Sequence, residues 1–119
     1  MRRRAAAKTV LWALFAAAAA TVLYFTLKPG PGGGPFAWWD KAQHFTAYFT
    51  LALLAALAAR TWKQAALIAL GLAVAGYGLE IAQFYVGRSY DLYDEAANAI
   101  GCLCGLLTGA VLRRGWRHV

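Results

Sequence analysis

Charge is what this sequence has least of. Only 14% of its 119 residues are Asp, Glu, Lys or Arg, while 61% are hydrophobic, against about 25% charged and about 45–50% apolar in an ordinary soluble domain. That scarcity excludes a water-soluble fold, and the aromatic share of 14% excludes a disordered chain, which depends on low hydrophobicity to stay solvated. Acidic residues are scarcer still, five against 12 basic, for a net charge of +7. A balance of that sign would suit nucleic acid in a soluble protein. Here so little of the chain can face water that no basic face is available for it, and nucleic acid is not an expected partner. Cysteine is limited to Cys102 and Cys104, too few and too close together for a secreted disulfide framework, and structural thiols are the expectation. Proline occurs three times, always within 28–35 (KPGPGGGP), beside four glycines, so this stretch is a linker between elements. No phosphate-binding glycine loop, HExxH or GxSxG motif is present.

What the chain does have is long intervals without charge. A bilayer core of about 30 Å needs about 20 apolar residues at a 1.5 Å rise. Four intervals approach that length: 9–27 (19 residues), 42–59 (18), 64–87 (24, interrupted by Glu80) and 96–112 (17). They predict an all-α membrane protein, a compact four-transmembrane-helix bundle forming a single domain over 1–119, with helices at about 9–27, 41–59, 64–86 and 94–112. The first run follows Arg2, Arg3 and Arg4 in the manner of a secretory signal. It continues through Val22 to Phe25 without a clear small-residue cleavage site, so the expectation is an uncleaved helix.

Lys and Arg set the orientation. With the N-terminus cytoplasmic, that side holds Arg2, Arg3, Arg4, Lys8, Arg60, Lys63, Arg113, Arg114 and Arg117, against Lys28, Lys41 and Arg88 opposite. Nine against three places both termini in the cytoplasm of a multi-pass protein of the bacterial inner membrane. Trp38, Trp39, Trp62, Tyr85, Tyr90, Tyr93 and Trp116 fall where interfacial aromatics belong.

All five acids then lie in the outer half. Asp40, His44 and Tyr48 recur every four residues in DKAQHFTAYF, sharing one helical face. Glu80 and Gln83 share a face in GLEIAQFY, with Tyr77 one turn below. Asp91, Asp94, Asn98 and Gly101 are spaced three, four and three in RSYDLYDEAANAIG. Polar side chains facing lipid are costly, so three polar stripes should turn inward and meet. The expected cluster contains His44, Glu80, Gln83, Arg88, Asp91, Asp94 and Asn98.

Each member also has an ordinary reading. Asp40, Asp91 and Asp94 stand where helix caps and favourable first-turn acids stand, His44 suits a hydrogen-bonded interior group, and Arg88 suits a simple ion-pair partner. Glu80 has no capping role and carries a substantial burial cost. Gly101, Gly105 and Gly109 form a small-residue ridge for close helix contact, within the chain or between copies in a homo-oligomer.

The combination of DKAQH, GLEIAQFY, Arg88 and DLYDEAANAIGCLCG resembles the VanZ-like family of bacterial integral membrane proteins, over residues 38–109. The resemblance implies signature positions at Asp40, Lys41, His44, Glu80, Gln83, Arg88, Asp91, Asp94, Asn98 and Gly101. It implies a link to low-level teicoplanin resistance, but no defined chemistry. The leading functional expectation is an envelope protein that binds or modifies a lipid headgroup, a lipid-linked wall precursor or a glycopeptide at the outer leaflet. In it Asp40, Lys41, Tyr48, Gln83, Arg88 and Asn98 serve binding, and His44, Glu80, Asp91 and Asp94 are the candidates for proton chemistry. Spacing alone assigns no metal. The same His44, Glu80, Asp91 and Asp94 become ligands for one divalent ion only if their faces converge. Two other readings are a small proton-coupled transporter using Glu80 and a non-catalytic membrane partner using the glycine ridge.

Overall fold

The computed structural model describes residues 2–27, 39–85 and 92–117, apart from the side chains of Asp40, Gln83, Leu92 and residues 115–117. Four helices are present: α1 (Arg2–Leu27), α2 (Trp39–Ala58), α3 (Trp62–Tyr85) and α4 (Leu92–Arg117). The linker 28–35 lies outside the described residues, as do Trp38, Arg88, Tyr90 and Asp91.

Two helices run well beyond their charge-free intervals, for one reason. α1 begins at Arg2 and α4 continues to Arg117, because Lys and Arg are good helix formers and a helix does not stop where a membrane does. The charges mark the limits of the apolar stretch, not the ends of hydrogen bonding.

Three helices are long and apolar enough to cross a membrane, over Arg2–Leu27, Trp62–Ala82 and Tyr93–Arg114. This supports a membrane protein. α2 does not qualify, a departure from the four spans expected of the sequence. Four of its first six residues, Asp40, Lys41, Gln43 and His44, are polar. Its position compensates for that composition, since α2 touches all three other helices. Its second half is buried at Leu51, Ala52, Ala55, Ala56 and Ala58, so protein covers much of it. α1 is the opposite case, with no buried residue at all and with Val10, Leu14, Leu23, Tyr24 and Phe25 exposed.

α2 and α4 run parallel in a constant register, and glycine sets their separation. A Cβ on Gly101 would lie 2.6 Å from the Phe45 carbonyl oxygen. On Gly105 it would collide with the Phe49 carbonyl, and on Gly109 with Ala56 Cβ. The ridge is therefore covered by α2 of the same chain, and all three glycines are buried. α3 packs antiparallel to both, its Ala65 and Ala69 meeting Ala56, Ala59 and Leu106. Such small residues allow close backbone approach, which gives dispersion contacts where lipid offers no hydrophobic drive. A second core cluster joins Tyr48, Ala52 and Cys102, with Val22 of α1 and Leu72 and Ala73 of α3 against it. Cys102 and Cys104 are free thiols.

The connection between α2 and α3 is short and capped by side chains. Thr61 Oγ1 accepts from the Gln64 amide at 3.1 Å, and Gln64 Oε1 accepts from the Arg60 amide at 2.8 Å, a reciprocal cap that satisfies otherwise orphaned donors. From α4, the Arg113 guanidinium donates to the carbonyls of Ala56 at 3.0 Å and Arg60 at 3.3 Å, closing the end of α2. The hydroxyls of Thr9, Thr21 and Thr50 donate to carbonyls four residues back, so none presents an unbonded polar atom to lipid.

Candidate functional site

The site forms where α2 and α4 begin and α3 approaches its end. Glu80 lies five residues before the end of α3, about 7–8 Å along the axis at a 1.5 Å rise. The antiparallel course of α3 against α2 and α4 brings one turn from each helix to the same level. The stripes converge there. One ligand-type atom each from His44, Glu80 and Asp94 lie within 4.8 Å of one another.

Burial at this level is unusual for such groups. Glu80 is 1% exposed, Asn98 1% and Asp94 8%. Each buried ion costs several kcal/mol unless partners offset the lost hydration, and the partners are ordered around His44. Its Nδ1 lies 2.8 Å from Asn98 Oδ1, and its Nε2 lies 3.6 Å from Asp94 Oδ2. Asn98 Nδ2 donates to Glu95 Oε2 at 3.3 Å. Lys41 Nζ approaches Asp94 Oδ1 at 3.4 Å, its side chain 36% exposed, so it reaches the buried carboxylate from the open side of the cluster.

The Asn98 amide fixes the imidazole. Its Nδ2 end is committed to the Glu95 carboxylate, an acceptor only, so its oxygen faces His44 and Nδ1 carries the hydrogen between them. Reversing the amide would oppose its oxygen to a carboxylate. In the neutral ring the lone pair therefore sits on Nε2, directed to Asp94.

Two residues complete this arrangement that the sequence stripes did not include. Glu95 stands three residues before Asn98, within reach of its amide, on a face next to the stripe through Asp94. Gly76 lies four residues before Glu80, one turn along the same face. A Cβ there would be 3.0 Å from Asn98 Nδ2, 3.1 Å from the Tyr48 hydroxyl and 3.2 Å from Glu95 Oε2, so its missing side chain makes the room these groups occupy. Tyr77, expected one turn below Glu80, is 46% exposed and stands outside the cluster. On α3 the inward face runs from Glu80 to Gly76 at a spacing of four.

Of the remaining expected members, Tyr48 is buried beside the cluster and Lys41 pairs with Asp94. Arg88 and Asp91 lie outside the described residues, as do the side chains of Asp40 and Gln83. Chemically, the site combines a histidine of set tautomer, two buried carboxylates and one partly exposed ammonium group, which suits proton transfer, cation binding or the handling of a polar headgroup. No family model, curated protein or solved structure matches the chain.

Proposed function

We propose that the chain is a VanZ-like multi-pass protein of the bacterial cytoplasmic membrane, with both termini in the cytoplasm. Its polar cluster binds the headgroup of a membrane lipid or lipid-linked wall precursor at the outer leaflet. The observation that supports this most directly is the convergence of His44, Glu80 and Asp94 at one end of an otherwise apolar bundle. A bundle held by alanine and glycine contacts gains nothing in stability from two carboxylates and an imidazole, since exposed or half-paired polar groups at membrane depth are a cost that function accounts for. Lys41, partly exposed, exchanges its Asp94 partner for a headgroup phosphate, and Asp94 or His44 is left to move a proton at the bound group.

Under this reading α2 crosses as the enclosed member of the bundle. Native mass spectrometry of protein extracted from its own membrane tests the idea. The expected result is a retained headgroup lipid or wall precursor on the wild type that is lost in Asp94→Asn. A folded wild-type protein carrying none would overturn it.

A further inference from the structure

We infer that His44, Glu80 and Asp94 form a binding site for one divalent transition-metal ion, with Asn98 and Glu95 orienting the imidazole. The inference concerns the same cluster but does not depend on the headgroup reading.

The first argument is direction. The Glu95 to Asn98 to His44 relay commits Nδ1 as a donor and leaves Nε2 as the coordinating atom. Metal-bound histidines are held in this way, the second nitrogen donating to a partner that fixes the ring and raises its basicity. The second is distance. A charged imidazolium bonded to a carboxylate would show N to O separations of about 2.7–2.9 Å, whereas Nε2 and Asp94 Oδ2 stand 3.6 Å apart. Two atoms bound to one ion at about 2.0–2.2 Å lie about 3–3.5 Å from each other. The His44 and Asp94 pair already has nearly that spacing. The full set lies within 4.8 Å, so its widest separation would have to close by about 1.3–1.8 Å on binding.

The third argument is burial and charge. Among the described residues, Asp94 Oδ1 is buried without a hydrogen-bond partner, and the Lys41 ammonium stands 3.4 Å from it. The cluster would offer a divalent ion two carboxylate oxygens, opposite to it in charge, beside the imidazole. One nitrogen and two oxygen donors favour zinc, manganese or ferrous iron over calcium or magnesium, which take oxygen ligands almost throughout. Three protein ligands leave coordination positions for water or an anionic oxygen. Lys41, displaced from Asp94 by the ion, stays nearby to pair with that anion.

The test uses the full chain in detergent, delipidated and stripped with chelator, then titrated with Zn²⁺ by calorimetry and with Co²⁺ by visible absorption. One ion per chain is expected, with a cobalt ligand-field band that disappears in His44→Ala. Asn98→Ala, which removes no ligand, should weaken Zn²⁺ binding about 10–100-fold, while Lys41→Ala should retain it. Helical, monodisperse wild-type protein that binds neither metal would overturn the inference. So would binding that survives His44→Ala unchanged. Because no lipid is present, metal binding without headgroup retention sinks only the headgroup reading, and headgroup retention without metal binding sinks only this one.

Discussion

Gly76 shows how much at this site depends on a side chain that is not there. Three polar groups from α2 and α4, the Tyr48 hydroxyl, the Asn98 amide and the Glu95 carboxylate, close over it at 3.0–3.2 Å from where a Cβ would stand. Asn98 cannot yield without loosening its bonds to both His44 and Glu95. Gly76→Ala should therefore destabilise the protein by about 1–3 kcal/mol, the usual cost of overpacking. A lowered midpoint in detergent thermal unfolding is the expected result, and an unchanged one would mean that the three groups are looser than their distances imply. Glycine at 71 or 78 is a different matter, since nothing lies within 4 Å of a Cβ at either position.

Among the elements, the pairing of α2 with α4 decides the geometry. Gly101, Gly105 and Gly109 hold the two backbones close enough that His44 reaches Asn98 across the gap, and the obstacles they avoid are largely main chain. Main chain cannot rotate away as a side chain can. Gly105→Leu should separate α2 from α4 and abolish the monodisperse folded species in size-exclusion chromatography. Gly71→Ala should leave the elution unchanged and raise helix stability by up to about 1 kcal/mol, the glycine-to-alanine difference in a helix. Equal tolerance of both substitutions would contradict the packing. Because α2 covers the ridge within the chain, a homo-oligomer would have to use another surface, and exposed apolar residues on α3 and α4 such as Leu70, Val74, Leu103 and Val111 are the lipid-facing ones available.

At the scale of the whole molecule, the apolar exterior and the polar end belong to one design. Trp62, Tyr85 and Tyr93 are exposed near helix ends, as interfacial aromatics are. Under the proposed orientation, which rests on the nine to three distribution of Lys and Arg, the polar end faces outward. Single cysteines at position 3 and at position 114, in a Cys102→Ser, Cys104→Ser background, should react with a membrane-impermeant maleimide only after the cytoplasmic membrane is permeabilised. Labelling of intact cells at either position would reverse the orientation and move the site to the inner leaflet.

The existence of four helices, their approximate limits and the residues on their polar faces were legible in the sequence, because charge-free length and a period of 3.6 are local properties of a chain that must satisfy its backbone in lipid. Glu80, Asp94, Asn98 and His44 stood out on that ground alone. What local pattern could not supply was the level at which the three faces meet, which depends on the parallel register of α2 with α4 and the antiparallel course of α3. The same register made Gly76 and Glu95 part of the site and left Tyr77 outside it. It also enclosed α2 so that a helix too polar to qualify as a span sits at the centre of the bundle. Helix formation is decided locally along the chain, whereas the cluster is decided by backbone separations that glycine and alanine contacts between helices set.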